Sequence, residues 1–259
     1  MQEKISYGIS LIRYNKKHKK YEILMIKKRN SYSFISFATG VYNNTPIELK
    51  DLFSDMTFYE KRIILSMNFD NIWMYMWNMD SISKDNNEFY NSYLNKKKIF
   101  DTNFLQNETT KQQLKNIILD THNNDTFWEI PKGNRNGKEK NIDAAIREMR
   151  EETGIEYGDY KLLFDINNEY KMSFVDVVNK IKYTYIYYLA ELTKITKRYD
   201  KFLNKLLLNA EVIDIKWISL SDMYTLNFNP ISKIQLTRLM KSIITTYRTY
   251  KKNKYVYCY

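Results

Sequence analysis

The sequence predicts an α+β fold, a mixed sheet between helices, interrupted by an inserted and mainly helical tract. Three observations carry this expectation. Runs rich in β-branched and aromatic residues open the chain at 6–14 and 21–28 and return at 126–130, 160–166, 180–192 and 212–218. From about 45 to 120 the pattern changes to short amphipathic stretches with one proline, Pro46, and no glycine. Residues 141–153 then carry an acidic stretch with apolar positions at helical spacing, in a chain that is otherwise basic.

The elements follow in order. SYGISLIRY and YEILMIKK, separated by the polar turn NKKHKK, read as a hairpin. KKRNSYSFISFATGVY reads as further strand and loop, with many aromatics. Ile47, Leu49, Leu52 and Phe53, then IILSM, IWMYMW, YNSYL and LKNIIL suit short helices. Thr126 to Ile130 brings β-structure back, and Pro131-Lys132-Gly133 leads into the acidic stretch. Ile142, Ala145, Ile146 and Met149 form an apolar stripe; Asn141 and Asp143 suit a helix start and Gly154 a stop. YKLLFDI and KIKYTYIYYLAEL read as strands, followed by the charged loop TKITKRYDKF and by an acidic loop entering a strand at 210–218. From Pro230 to about Lys252 a basic helix closes the chain. Ile231, Ile234, Leu239, Ile243 and Ile244 are expected to face in, with Lys233, Arg238, Lys241 and Arg248 facing out. The domains are therefore expected at 1–44 and 123–259 for a split sheet domain, with the insertion at 45–122.

The acidic stretch carries the chemistry. Glu148, Glu151 and Glu152 are related by helical steps of three and four, so they are expected on one face. Three carboxylates so placed repel one another unless a cation lies among them, and hard oxygen donors suit Mg²⁺ or Mn²⁺. Arg147 stands four residues before Glu151, the distance for an ion pair within a helix, and Glu139 is placed to take the guanidinium from another side. The string from Gly133 through Glu139, Arg147, Glu148, Met149, Glu151 and Glu152 to Gly154 and Ile155 fills every specified position of G-x5-E-x7-R-E-U-x-E-E-x-G-U. It thereby resembles the box of the Nudix hydrolases, which cleave nucleoside diphosphates linked to another group. The resemblance implies metal-assisted hydrolysis of a phosphoanhydride by water. Glu148, Glu151 and Glu152 would be the metal-binding or base residues, supported by Glu139 and Arg147.

The flanking residues narrow the resemblance. Trp128-Glu129-Ile130-Pro131-Lys132-Gly133 is similar to the lead of mRNA-decapping Nudix enzymes, with related versions in diphosphoinositol polyphosphate and dinucleoside polyphosphate hydrolases. KKRNSYSFISFATGVY and MTFYEKRIILSMNFDNIWMYMW resemble the decapping enzymes of large DNA viruses, of the African swine fever virus type and more distantly the poxvirus type. This implies hydrolysis of the 5′ cap of mRNA to 7-methyl-GDP and a 5′-monophosphate end, with the helical insertion helping to bind RNA. Glu211, before a late strand, matches a glutamate that completes the metal site in that family. Lys132, with Gly133, is a phosphate contact by this resemblance, and Lys28 and Arg29 end a strand near the active side. Lys96, Lys97, Lys98, Lys241 and Arg248 are candidates for contacts to the RNA backbone. Trp73, Trp77 and Trp128 are expected in the core. Diphosphoinositol polyphosphates or nucleotides are the rival substrates within the same chemistry. A non-catalytic RNA-binding module on the same fold is the rival of another class, and the complete set of box glutamates speaks against it.

Composition agrees with a polyanionic substrate. Lys+Arg 41 against Asp+Glu 30 leaves a net +11 around an acidic helix. A single cysteine, Cys258, excludes a disulfide within the chain and fits a reducing compartment, the host cytoplasm for a viral protein. His18 and His122 lie in polar stretches, so no His/Cys metal cluster is expected. No apolar run reaches the length of a membrane span, and the start MQEKISYG lacks a signal-peptide apolar region.

Overall fold

The computed structural model describes residues 2–119, 125–163, 169–176, 181–193 and 211–256. Expectations for His122, the loop over 194–202, the Ile231 side chain and Cys258 fall outside the described residues. The chain divides into two compact units: Met1–Lys27 with Phe127–Tyr259, and Lys28–Thr126. The second unit thus begins at Lys28 rather than at 45. Among the described residues no helix is long and apolar enough to cross a membrane.

The first unit is built on a mixed sheet. Strand β1 (Gln2–Asn15) pairs antiparallel with β2 (Lys20–Lys28), from Ile12 opposite Ile23 to Asn15 opposite Lys20. Its other neighbour is the long strand Ile181–Leu192, which runs parallel to β1 from Gln2 opposite Ile181 to Ile12 opposite Glu191. Parallel neighbours cannot be joined by a hairpin, so everything between 28 and 181 lies in their crossover. Strand β3 (Trp128–Glu129) extends the edge of β2, opposite Ile26 and Lys27. Strand β4 (Lys132–Asn134) is laid on β1 at Ser6–Gly8. Strands β5 (Tyr160–Leu162) and β6 (Glu169–Asp176) both pair antiparallel with Ile181–Leu192, here β7, and β8 (Val212–Ile218) pairs with β2. β6 was not expected. Its signal is the alternation Tyr170, Met172, Phe174, whose first two members are buried.

A helix covers each face of this sheet, so both alternating sets of side chains are buried, as the unbroken run Ile23–Ile26 requires. Tyr7, Ile9, Leu11, Leu24 and Ile26 pack with the helix Asn141–Thr153. Ile12, Ile23, Met25, Tyr187 and Leu189 pack with the C-terminal helix Pro230–Val256. That helix buries Leu236, Leu239, Met240, Ile243, Ile244 and Tyr247, but Ile234 is 61% exposed, against expectation. At 100° per residue Ile234 stands nearly opposite Leu236, so the stripe that touches the sheet cannot include it.

The second unit is a set of short helices: α1 (Tyr32–Ala38), α2 (Pro46–Asp55), α3 (Phe58–Ser66), α4 (Phe69–Trp77), α5 (Asn87–Phe100) and α6 (Glu108–Leu119). Helices this short are marginal alone, and side-chain caps define their starts. Ser31, Thr45, Thr57, Asn68 and Asn86 each accept a hydrogen bond from a backbone N–H three residues on; such a cap contributes about 1 kcal/mol. Helix α1 corrects the expectation of strand and loop over 27–42. Phe34, Phe37 and Ala38 lie at helical spacing and join the core of Phe53, Ile63, Phe69, Trp73, Phe100 and Phe104. Trp73 is buried there and Trp77 packs against it.

Glu60 joins two of these helix starts. Its carboxylate accepts from Thr57 N–H at 2.8 Å, completing a capping box for α3. It also accepts from Ser31 N–H at 2.6 Å and from the Ser31 hydroxyl at 2.8 Å, at the start of α1. The group is 1% exposed, and burial pushes its proton affinity up although the donors of Ser31 and Thr57 oppose this. Glu60→Ala leaves two backbone N–H groups buried without an acceptor. It is expected to lower the unfolding free energy by about 3 kcal/mol in urea titration, with Glu60→Gln costing less because one oxygen remains.

Candidate active site

Helix α7 (Asn141–Thr153) spans the residues its apolar stripe predicts, and Ala144, Ala145 and Met149 bury its inner face. Gly154 ends it in the left-handed region at φ 69°, with its N–H on the Arg150 carbonyl at 2.8 Å. The helix starts at Asn141, as expected. Lys140 occupies the cap position without a side-chain cap, and Asn141 lies already inside the helix. Asp143 is the acidic residue of the first turn, where the helix dipole favours it.

Arg147 gathers the loop and the helix. Nε and Nη2 donate to Glu139 at 3.1 and 3.2 Å, Nη1 donates to Glu148 at 2.6 Å and to Glu151 at 2.9 Å, and Nη2 also donates to the Asn134 carbonyl at 2.7 Å. The ion pairs expected from spacing, with Glu151 and with Glu139, are therefore present. The hydrogen bonds from Arg147 and from Asn136 N–H hold the Glu139 carboxyl below the usual carboxylate range. The same contact with Glu139, with those to Glu148 and Glu151, raises the guanidinium further above its already high value.

Glu148 behaves oppositely, although it touches the same guanidinium. Burial is the first cause that raises its proton affinity, Arg147 opposes, and the charges of Glu151 and Glu211 raise it again. The late residue Glu211, immediately before β8, thus lies within electrostatic reach of the box helix. Gly133 makes room for Glu148: a Cβ at residue 133 would meet its carboxyl carbon at 2.1 Å. Glu152 is 4% exposed and accepts the Lys132 backbone N–H at 2.8 Å, whereas the Glu151 side chain is 50% exposed. The three carboxylates expected on one face are therefore graded from interior to solvent.

Among the described residues no group of three or more acidic, histidine or cysteine side chains is arranged to hold a metal ion. The physical reason is local. Glu139, Glu148 and Glu151 turn onto Arg147, and Glu152 turns onto the Lys132 backbone. The donor chemistry nonetheless fits a hard divalent cation: carboxylate oxygens alone, with Glu148 under the repulsion of Glu151 and Glu211 that such a cation relieves.

Other expected site residues are placed less uniformly. Lys132, expected as a phosphate contact, is turned inward. Its side chain is 4% exposed, with Nζ on Glu129 at 2.7 Å and over the Tyr185 ring at 4.6 Å. Lys28 and Arg29 belong to the helical unit, Arg29 within electrostatic reach of Tyr75. Lys97 donates to Asp70 at 2.6 Å and to the Tyr93 hydroxyl at 3.3 Å, while Lys98 is exposed and Lys96 partly so. Lys241 and Arg248 are exposed on the C-terminal helix, Arg248 over the Tyr21 ring at 4.9 Å. Trp128 is buried, as expected. Two features were missed. One is the Asn134 carbonyl, a backbone group with no side-chain signal. The other is an open cavity of about 540 Å³ beside Glu139, rimmed by Arg135, Lys138 and Lys140 over Ile142 and Tyr188. Those three cations stand in or next to the variable positions of the box loop.

A model of the NUDIX domain matches residues 105–239. The chain is 31% identical over 241 residues to the mRNA-decapping protein g5R of African swine fever virus, isolate Pig/Kenya/KEN-50/1950, covering 92% of each chain. It is 30% identical to the protein of the same name from isolate Warthog/Namibia/Wart80/1980, covering 89% of this chain and 94% of that one. Among solved structures, a C. elegans Ap4A hydrolase in a binary complex is similar with a TM-score of 0.43 and 13% identity, over 93% of this chain and 97% of that chain.

Because the Gly133 approach to Glu148 tolerates no Cβ, Gly133→Ala must push the turn or the carboxylate aside. It is expected to lower kcat by ~10²-fold, the scale of a misplacement of about 1 Å. Far-UV circular dichroism is expected to stay unchanged.

Proposed function

This chain belongs to the Nudix family, and on that footing we propose that it hydrolyses the 5′ cap of mRNA, releasing 7-methyl-GDP and leaving a 5′-monophosphate end. The observation that carries the reading is the assembly at Arg147, which holds Glu139, Glu148 and Glu151 together with Glu211 in electrostatic reach. Mg²⁺ or Mn²⁺, when bound, supplies neutralisation of the anhydride oxygens, and Glu148, Glu151, Glu152 and Glu211 are the residues that would hold it. Gly133 lets the Glu148 carboxylate stand against the turn. Whichever of these carboxylates the cation does not engage would take the proton of a water that attacks phosphorus as the phosphoanhydride P–O bond breaks. Arg147 and Glu139 position these groups and do not themselves react.

The basic remainder of the chain serves the rest of the polyanion. Arg135, Lys138 and Lys140 stand beside the box loop, and Lys241, Arg248, Lys96 and Lys98 offer further cations for RNA phosphates. The viral relatives and the single cysteine favour action in host cytoplasm, where decapping removes messenger RNA. Diphosphoinositol polyphosphates and nucleotides remain rival substrates, because the cations beside Glu139 suit any dense phosphate cluster.

Cap-labelled RNA incubated with Mg²⁺ and with Mn²⁺ should yield labelled 7-methyl-GDP. Glu148→Gln and Glu151→Gln are each expected to reduce the rate by ~10²–10³-fold while RNA affinity measured in EDTA is kept. Equal rates in wild type and both variants would exclude the assigned mechanism and favour an RNA-binding module.

The rival substrates separate by excision. The ends of the insertion adjoin, since Lys27 pairs with Trp128 and the Thr126 hydroxyl donates to the Lys28 carbonyl at 2.5 Å. A chain with 29–125 replaced by a short turn is expected to cleave free cap dinucleotide and to bind long RNA more weakly, with a shallower salt dependence. Undiminished RNA affinity and salt slope would remove the insertion from RNA binding.

A further inference from the structure

The glycine turn ahead of the catalytic helix is fitted into a fork of the sheet. β1 and β2 pair at their hairpin end, from Ile12 opposite Ile23 to Asn15 opposite Lys20. Farther along, β2 takes β3 as its neighbour at Ile26 and Lys27, and β1 takes β4 at Ser6, Tyr7 and Gly8. Residues 128–134 therefore enter where the two strands have parted. The β1 backbone lies directly against them. A Cβ at Gly8 would stand 2.1 Å from the Pro131 carbonyl oxygen and 2.9 Å from the Lys132 Cβ, so any side chain at residue 8 would push the turn away.

Lys132 is fastened inside this fork. Its ammonium meets the Glu129 carboxylate at 2.7 Å and lies 4.6 Å over the Tyr185 ring. Both side chains are largely buried, and a charge so placed is kept because it is matched. The consequence runs along the backbone, since successive residues of a strand point to opposite faces. Gly8, opposite Lys132, looks onto Tyr187, which packs with the C-terminal helix. Tyr7, opposite Gly133, packs with α7. With Lys132 anchored toward the first face, Gly133 must present its bare Cα to α7, where the Glu148 carboxyl stands. The Lys132 backbone N–H then reaches Glu152 at 2.8 Å. A slip of one residue would turn the lysine onto the box face and lose both relations.

We propose that Lys132, Glu129 and Tyr185 form a clasp that sets the register of the glycine turn, and that Lys132 is a positioning residue for Glu148 and Glu152 and not a contact for substrate phosphate. The proposal rests on the reading that these glutamates serve hydrolysis, and adds what aims them. An ammonium swung out to a phosphate would abandon a mostly buried carboxylate three residues away, a cost that a lysine already in solvent does not carry. The clasp also accounts for the place of the pair. It spans the Ile130-Pro131 bend, between the strand laid on β2 and the strand laid on β1, where the turn could otherwise shift along the fork.

The first measurement needs neither metal nor substrate. Hydrogen exchange of the residue-132 amide, followed by NMR in EDTA, is expected to be slow in wild type because Glu152 holds that N–H. Glu129→Gln keeps the shape of its side chain and removes the charge; Lys132→Met keeps the length and removes the ammonium. Each is expected to speed exchange at residue 132 by ~10-fold or more, while the amides of the β1–β7 ladder keep their protection. Mn²⁺ affinity, read from the paramagnetic resonance of the free ion, is expected to fall ~10–100-fold, the scale on which groups behind a metal ligand act. On cap dinucleotide, kcat is expected to fall with KM unchanged. A lysine that met phosphate would behave differently: Glu129→Gln would release it toward the substrate, lowering KM and sparing kcat, and Lys132→Met would raise KM. That pattern overturns the clasp, as does wild-type exchange at residue 132 in the folded variants. Should Lys132→Met unfold in a thermal melt, Glu129→Gln carries the comparison. A wild-type protein that binds no Mn²⁺ and cleaves no capped RNA would sink the functional reading, while exchange at residue 132 still decides the clasp.

Discussion

One guanidinium organises the site. Arg147 makes five side-chain hydrogen bonds, to Glu139 twice, to Glu148, to Glu151 and to the Asn134 carbonyl. Only arginine offers five donors in a planar fork; a lysine at this position would present a point charge with three donors and lose the simultaneous hold on loop and helix. The glutamates it gathers repel one another, and in a basic protein they would otherwise pair with whichever lysine came near. The catalytic helix, the glycine turn and the loop between them form one electrostatic object because of that side chain.

The contrast between Glu139 and Glu148 shows how competing terms are decided. Both touch Arg147, yet Glu139 is held below the usual carboxylate range and Glu148 is pushed above it. Glu139 gains a backbone N–H from Asn136 and the nearby charge of Arg135. Glu148 is desolvated and faces two further carboxylates, and these outweigh a single 2.6 Å contact. Glu60 in the helical unit follows the same rule, since four donor groups from Ser31 and Thr57 do not offset its nearly complete burial. There the carboxylate serves geometry: it joins the starts of α1 and α3, which accounts physically for the serine and the Thr-x-x-Glu pattern near either helix start.

Legibility varied with the range of the interaction. Helix α7 and its ion pairs were readable because their partners lie four and eight residues apart, within reach of spacing arguments. The burial of Trp73 and Trp128 and the helical character of 45–119 were readable from apolar periodicity. Helix α1 was misread because aromatic residues suit strands as well as helices, and the deciding signal was the Ser31 cap followed by Phe34, Phe37 and Ala38. The burial of Lys132 was not readable, because the Tyr185 ring beneath its ammonium lies more than fifty positions away across the sheet, although its ion-pair partner Glu129 is only three residues off.

By itself the sequence determined the chemical identity of the site: which residue types occur, at which steps along a helix, next to which turn. Those are properties of the chain and of helical geometry, and they do not depend on what the helix packs against. Only the tertiary structure decided which of those carboxylates faces solvent, which is desolvated and which is spent on the backbone. Glu152 turned inward to Lys132 and Glu211 arrived from just ahead of a strand almost sixty positions later, because the sheet brings β4 and β8 into place through hydrogen bonds between segments that are remote in sequence. Proton affinity follows burial and neighbouring charge, and both are set by that packing.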